Sequence, residues 1–334
     1  MSGMIQARSS RALPKGLPQL AALVLVFFVN WLVFRDFFAL RLQDGRLFGS
    51  LIDVLNRGAP LAILALGMTL VIATRGIDLS VGAVMAIAGA MAATLTAQGY
   101  PLPVALAAAA GIGLACGLWN GVLVAVLEIQ PFVATLILMV AGRGFAQLIT
   151  EGQIITFTSD SFAAIGSGSF LMLPVPVLIA IVMLVITHAI VRYTALGLFI
   201  ESIGANVRST AYAGIGTKVV TIAVYMWCGL CAAIAGLIVT ADIRGADANN
   251  AGLWLELDAI LAVVIGGTSL FGGRFHLGLA VVGALIIQAM NTGILLSGYP
   301  PEYNLIVKAI VVLAVLLAQS PVLSAVSAVL KARA

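Results

Sequence analysis

Charged residues are scarce in this chain: 9% of its 334 residues are Asp, Glu, Lys or Arg, whereas 62% are hydrophobic. An ordinary soluble domain carries about 25% charged residues. Many apolar runs reach about 20 residues, the length at which a helix crosses about 30 Å of hydrocarbon. The composition therefore excludes a soluble enzyme and predicts an integral membrane protein whose main solvent is lipid.

Groups that carry catalysis or bind metals are also few. The chain has two histidines, and its closest cysteine pair, Cys228 and Cys231, lacks the second pair or nearby histidine that a metal site needs. The sequence contains no Gly-x-x-x-x-Gly-Lys-Ser/Thr phosphate loop. The net charge of +4 comes from basic residues placed singly at the ends of apolar runs, which is typical of membrane topology and not of nucleic-acid binding. We therefore expect no catalytic residue, metal or cofactor in this chain.

The apolar runs predict an all-α, polytopic transmembrane helix bundle of about ten spans. The first run is too long for the apolar region of a signal peptide, so it is interpreted as a retained span. An even number of spans places both termini on one side, and the basic residues of the connecting segments predict that this side is the cytoplasm. The predicted spans are residues 17–34, 58–74, 77–97, 103–127, 132–150, 173–191, 219–240, 258–271, 276–296 and 303–320.

This topology predicts one transmembrane domain, residues 17–322, between cytoplasmic tails at 1–16 and 323–334. Its longest cytoplasmic segment is 194–216. Two glycine-broken turns, 71–82 and 264–273, resemble each other and indicate a possible internal repeat. Chance similarity between two membrane turns is the alternative.

Polar residues inside the apolar region are candidates for a solute pathway or gate. Asp78 lies with Gly76 and Ser80 in a short turn, where a carboxylate costs about 2.5–3.5 kcal/mol unless it is partnered or hydrated. It can cap the next helix, line a pathway, or do both. Arg143 falls in the middle of a span, so it needs a cavity or a partner carboxylate.

Glycines spaced four apart, Gly113, Gly117 and Gly121, predict close approach of a neighbouring helix. Asn120, beside this stripe, joins the pathway candidates. The segment 242–258 is polar and is predicted to lie outside, as a docking surface, as the mouth of a pathway for a hydroxyl-rich solute, or as an ordinary solvated loop. Its candidate residues are Asp242, Arg244, Asp247, Asn249, Asn250 and Glu256.

The cytoplasmic segment predicts a short amphipathic helix at residues 200–212. Ile200, Ile203, Val207 and Ala211 recur at helical spacing. Such a helix can lie on the membrane surface without a partner. Alternatively, it fits a groove on a cytoplasmic subunit.

At this segment the sequence resembles a known family. Leu196-Gly197, Glu201, Ile203-Gly204, Asn206 and Ala213-Gly214-Ile215 are similar to the coupling-helix signature of bacterial sugar-import ABC permeases of the ribose, xylose and galactose class. Residues 76–82 and 265–273 resemble two other recurring stretches of that family, whereas Arg208-Ser209-Thr210-Ala211 departs from it. The resemblance implies that an ATPase-coupling surface includes Glu201, Ile203, Gly204, Asn206, Arg208 and Gly214.

Residues 129–136, 241–258 and 288–293 resemble the galactofuranose-importing branch of the family, and Asn291 in the last stretch joins the pathway candidates. The resemblance implies a monosaccharide permease of the bacterial inner membrane that works by alternating access. Its implied partners are a second, related permease, ATP-binding-cassette subunits that bind ATP and Mg, and a periplasmic sugar-binding protein. The main alternative is an ion-coupled secondary transporter, for which Asp78 is the clear acidic candidate. A membrane-embedded enzyme would need a cluster of reactive groups that the sequence lacks.

Overall fold

The computed structural model describes residues 16–43, 46–298, 300 and 303–319. The predicted tails, with Arg8, Arg11, Lys15, Lys331 and Arg333, therefore lie outside the described residues, apart from Gly16. The helices are α1 Leu17–Val33, α2 Ser50–Ala73, α3 Val81–Ala97, α4 Leu102–Ala125, α5 Pro131–Ile149, α6 Asp160–Ser167, α7 Val175–Tyr193, α8 Leu196–Ala205, α9 Val207–Tyr212, α10 Thr217–Asp242, α11 Leu255–Ile265, α12 Leu277–Leu296 and α13 Tyr303–Gln319, with a 3-10 turn at Arg35–Phe38.

The strands are two or three residues long and pair antiparallel across connecting segments. β1 (Arg41–Gln43) pairs with β2 (Arg46–Phe48), β3 (Ile155–Thr156) with β6 (Gly245–Ala246), and β4 (Ser169–Phe170) with β5 (Leu173–Pro174). They join loops and contribute little to the hydrophobic core. The predicted all-α class therefore holds for the bundle.

Helix ends follow local sequence signals. Prolines lie in the first turn of α1, α4, α5 and α7. Backbone N–H groups in a first turn have no partner within the helix, so the N–H that proline lacks costs no hydrogen bond there. Ser159 caps α6, because its Oγ accepts a hydrogen bond from Phe162 N at 3.4 Å. These signals set where the chain enters each helix.

The core is built around α2, which packs against α7, α10, α11 and α12. α4 packs closely against α10: a side chain on Gly117 would overlap the carbonyl oxygen of Tyr225, and one on Gly113 would meet Gly229 O. The predicted close approach along the glycine stripe is confirmed. Elsewhere α4, α5 and α7 leave many large apolar side chains exposed, as helices that face lipid do.

Six helices in the described part of the chain are long and apolar enough to cross a membrane: α2, α4, α5, α7, α10 and α12. Each of the ten predicted spans overlaps a helix, but two boundaries differ widely. α2 begins at Ser50, eight residues before the predicted span 58–74, because the polar residues Asp53, Asn56 and Arg57 belong to its first turns and not to a loop. The span predicted at 258–271 is instead the 11-residue helix α11, about 16 Å long at 1.5 Å per residue and too short to cross.

Contacts between connecting segments divide the bundle into two faces. The α8 face holds α8, α9 and the turns 74–80, 126–130 and 266–276; Gly273 N donates to Ala73 O at 2.9 Å, and Lys218 Nζ lies 3.9 Å from Glu128 Oε1. The α6 face holds α6 and the β3–β6 pair, and Arg46 there reaches Ser167 O at 3.3 Å. The two turns predicted to be repeats thus contact each other at the α8 face.

Candidate functional site

The segment predicted as one amphipathic helix is two helices, α8 and α9, separated at Asn206. Asn206 is extended, with φ −161° and ψ 104°, and its Oδ1 accepts a hydrogen bond from Ser209 N at 3.0 Å. This side chain therefore ends α8 and caps α9. The predicted stripe is correct in α8, where Ile200 and Ile203 are buried, and wrong in α9, where Val207 and Ala211 are exposed.

The end of α8 is fastened to the turn between α2 and α3 by Arg75. Arg75 Nε donates to Gly204 O and its Nη2 to Ala205 O, both at 2.6 Å. Gly204 lies directly against Ala73 O and the backbone of Gly273, so that a side chain there would overlap both. α8, the α2–α3 turn and the α11–α12 turn therefore meet at one point, which we call the α8 junction.

The predicted coupling residues divide between this junction and the surface. Ile203 and Gly204 are buried in the junction, and Glu201 is half-buried. Asn206, Arg208 and Gly214 are exposed, together with the large side chains of Leu198 (66%) and Tyr212 (91%). One side of α8–α9 therefore packs against the transmembrane helices, and the other side exposes the apolar groups of Leu198 and Tyr212 and the basic group of Arg208.

Asp78 and Ser80 form a buried polar cluster with Asn120. Asp78 Oδ1 accepts hydrogen bonds from Ser80 N at 2.9 Å, Ser80 Oγ at 2.6 Å and Asn120 Nδ2 at 3.4 Å. Asp78 is 1% exposed, and Gly76 beside it is packed against the Tyr225 hydroxyl. In this conformation these predicted pathway residues line no open channel. Instead they join the α2–α3 turn to α4.

The segment 247–254 descends into the bundle instead of remaining at the α6 face. Arg143 Nη1 on α5 donates to Ala248 O at 3.0 Å and to Ala251 O at 2.6 Å, and Gln147 Nε2 donates to Asn249 Oδ1 at 2.8 Å. The predicted need of Arg143 for a carboxylate or cavity is therefore met by backbone carbonyls. The structure brings Arg143 together with predicted mouth residues of this segment.

Contacts along α5 give the depth that the segment reaches. Near the α8 face, Leu79 N donates to Thr135 Oγ1 at 3.2 Å. Two turns further, Gly142 packs against Ala83 and Ile87, and Gly82 lies flush against Gly252 O. Because α5 is about 28 Å long, Gly252 lies near its middle. α11 therefore starts at half depth, and its end is followed by the turn that reaches the α8 junction.

The remaining predicted residues lie apart from this segment or deeper within it. Arg244 and Asp242 are exposed at the α6 face, where Arg244 Nη1 lies 3.3 Å from Asp160 Oδ1. Glu256, in the first turn of α11, is 5% exposed and therefore buried at half depth, not at an outer mouth. Asn291 lines a polar cavity of about 210 Å³ between α2, α12 and α13, and its Oδ1 has no hydrogen-bond partner among the described residues.

One buried ion pair was not predicted from the sequence. Lys308 Nζ on α13 lies 2.7 Å from Asp258 Oδ2 on α11, and both side chains are largely buried. The signal was present, since a lysine inside an apolar run requires a partner. The partner lies 50 positions away, beyond the reach of helical spacing.

Two cavities are lined mainly by apolar side chains. One of about 540 Å³ lies between α3, α4 and α5 beside Trp119 and Phe145, and another of about 640 Å³ lies beside α1 and α12. Neither offers the convergent polar groups that hold a hydroxyl-rich solute.

Comparison with known proteins identifies the family. The sequence profile of the family described as "Branched-chain amino acid transport system / permease component" matches residues 50–316. The chain belongs to this permease family. The permease is 66% identical over 307 residues to the galactofuranose transporter permease protein of Escherichia coli (strain K12), covering 92% of this chain and 90% of the relative.

Two further relatives are sugar import permeases. The fructose import permease protein of Bifidobacterium longum (strain NCC 2705) is 39% identical over 93% of this chain and 89% of its own length. The ribose import permease protein of Escherichia coli (strain K12) is 41% identical over 79% of this chain and 83% of its own length. No solved structure gives a significant match.

Membership of the family fixes the class of the molecule. The permease is a polytopic helical protein of the inner membrane and a transporter subunit, not a catalytic enzyme. Importers of this family work with ATPase and substrate-binding subunits. The predictions of an integral membrane protein and of an importer permease are confirmed.

Proposed function

We propose that this chain is the membrane-spanning subunit of an ABC importer that carries a monosaccharide, galactofuranose, across the inner membrane. The sugar is favoured over an amino acid because the relatives named above import sugars, and the galactofuranose permease shares 66% identity over nearly the whole chain. ATP and Mg are bound by the partner ATPases, whose closure drives alternating access.

The α8 junction is the observation that carries the coupling role. α8–α9 presents Leu198, Tyr212 and Arg208 outward, a surface suited to a groove on a cytoplasmic subunit. Its other side is held by Arg75, Gly204 and Gly273. A subunit that moves α8 therefore moves the two turns attached to it.

The short helix α11 supplies the transmission from this surface into the membrane. Its inner end, at Ile265, leads into the turn that contacts Ala73 and Gly204, and its other end begins at half depth beside Gly252. Because a helix is stiff along its axis, displacement of α8 is passed about 16 Å into the bilayer. The buried Asp78 cluster holds the α2–α3 turn to α4 during this movement.

The orientation follows from charge. The α8 face carries Arg75, Arg192, Arg208, Lys218 and Arg274 against few acidic residues, which favours the cytoplasm. In this orientation both termini are cytoplasmic, residues 17–322 form one permease domain with its coupling segment at 194–216, and the tails 1–16 and 323–334 lie in the cytoplasm. The count of ten spans then includes α11 as a half-crossing element.

The assembly that we propose contains a second, related permease opposite this chain, two ATP-binding-cassette subunits and a periplasmic sugar-binding protein. The exposed residues Asp242 and Arg244, at the α6 face, are candidate contacts for the binding protein. Asn291 and its polar cavity remain candidates for part of the pathway.

A docking variant tests the coupling role. Leu198→Asp places a charge on the exposed surface of α8 without touching the junction, so we expect the complex to lose its ATPase subunits and its ATP-driven uptake. The matched control is Leu171→Asp, because Leu171 is 78% exposed at the α6 face. Equal uptake by Leu198→Asp and the control would refute the assignment of α8 as the coupling surface.

A further inference from the structure

A polar cavity lies within this chain at the α6 face, between the first turns of α2, the end of α12 and the start of α13. Its volume of about 210 Å³ equals the liquid volume of about seven water molecules at about 30 Å³ each. Two of its lining residues, Leu295 and Leu296, are apolar, and the other six are polar: Asp53, Arg57, Gln288, Asn291, Thr292 and Asn304. Unlike the two apolar cavities, this one therefore brings together polar groups from three helices, as a site for a polar ligand requires.

Two buried acceptors at this cavity lack hydrogen-bond donors. Asn291 Oδ1 and Asn304 Oδ1 are buried atoms, but they accept no hydrogen bond from the described residues. Buried amide oxygens are normally hydrogen-bonded, and these two come from different helices to the same cavity. Nearby, Gln288 Nε2 makes a long hydrogen bond of 3.4 Å to Thr292 Oγ1. The two oxygens therefore need donors from water or from a ligand.

The charged groups at the cavity indicate that such a ligand is neutral. Asp53 and Arg57 lie one turn apart on α2 and are exposed, and neither forms a salt bridge with a described residue. Lys308, one turn beyond Asn304 on α13, is paired with Asp258 and adds no net charge. One carboxylate and one guanidinium leave the cavity without net charge, so it favours neither an anion nor a cation.

We infer that this cavity binds a neutral, hydroxyl-bearing molecule of monosaccharide size within a single permease chain. A hydroxyl both donates and accepts hydrogen bonds, so a sugar supplies the donors that Asn291 and Asn304 lack and accepts from Arg57. Leu295 and Leu296 offer apolar surface to the C–H groups of the sugar. The inference rests on the proposed function and deepens it, because it assigns a sugar site to the end of α12 on the side from which an imported sugar arrives.

Cysteine protection tests the site apart from transport. In the permease–ATPase complex carrying Cys116→Ala, without binding protein or ATP, Leu296→Cys places a thiol on the wall of the cavity and leaves all its polar residues in place. The matched control is Leu171→Cys, at the same face but outside the cavity, where Leu171 is 78% exposed. We expect saturating galactofuranose to slow the reaction of Leu296→Cys with a membrane-impermeant methanethiosulfonate at least fivefold, and that of Leu171→Cys not at all. No protection of Leu296→Cys, or equal protection of both thiols, would overturn the inference.

A second substitution tests the contacts. Added to Leu296→Cys, Asn291→Ala should raise the galactofuranose concentration that gives half-maximal protection at least fivefold, because it removes an acceptor. Gln153→Ala, which removes an exposed amide elsewhere at the α6 face, should leave that concentration unchanged. Equal values for these two variants, or stronger protection by a hexose phosphate than by the neutral sugar, would overturn the inference.

The two proposals fail in different ways. If the complete transporter imports no sugar with ATP, the proposed function fails, while protection of Leu296→Cys still reports on the cavity. ATP-driven uptake of galactofuranose without any protection of Leu296→Cys overturns the sugar site and leaves the proposed function intact.

Discussion

We expect Arg75 to be the residue that links α8, the proposed coupling helix, to the transmembrane helices. Its guanidinium makes two hydrogen bonds of 2.6 Å to the last carbonyls of α8, one part-buried and one exposed. A hydrogen bond to a charged group contributes about 1.5–3 kcal/mol when shielded, and an exposed one much less. Arg75→Ala should therefore weaken the seating of α8 by about 2 kcal/mol, which corresponds to roughly a thirtyfold change in the ratio of seated to unseated α8.

The assay measures sugar imported per ATP hydrolysed in proteoliposomes containing the complete transporter. Arg75→Ala should lower this ratio several-fold while ATP hydrolysis continues, and Arg75→Lys should give an intermediate value, because an ammonium cannot reproduce the two-pronged contact. Arg192→Ala, an exposed basic residue at the end of α7, serves as the control and should leave the ratio unchanged. An unchanged ratio in Arg75→Ala would refute the reasoning that the α8 junction transmits force.

Three further predictions concern stability, each measured by thermal unfolding in detergent. Lys308→Met should destabilise the protein by about 3–5 kcal/mol, because it strands the buried Asp258 carboxylate, and Asp258→Leu combined with it should recover most of the loss. Gly117→Leu should force α4 from α10 and lower the melting temperature by several degrees, whereas Gly111→Ala, which meets open space, should not. Asp78→Ala should cost about 1–3 kcal/mol by leaving the buried Ser80 N–H and hydroxyl without their acceptor, and Asp78→Asn should cost less.

Features set by local chemistry were predictable from the sequence. The apolar runs predicted the positions of helices, because the thickness of the membrane requires about 20 consecutive apolar residues in each spanning helix. The stripe Gly113, Gly117 and Gly121 predicted the contact with α10, since only the absence of side chains allows that backbone approach. In α8, periodicity correctly predicted the buried positions Ile200 and Ile203.

Features that depend on distant residues were not predictable. Arg75 was interpreted only as a topology signal, because its partners lie about 130 positions away. Hydropathy predicted a full span at 258–271, whereas α11 begins at half depth, where Gly252 contacts Gly82 and Arg143 binds the carbonyl of Ala251. The break at Asn206 was missed because apolar periodicity continues across it, whereas a side-chain cap decides the backbone conformation there.

The most direct test of the central claim is uptake of labelled galactofuranose by proteoliposomes that contain this chain with its permease, ATPase and binding-protein partners. The proposed function predicts uptake that requires ATP, the binding protein and this chain together. Uptake driven by an ion gradient without ATP, or no ATP-dependent uptake of any monosaccharide by the complete assembly, would contradict it.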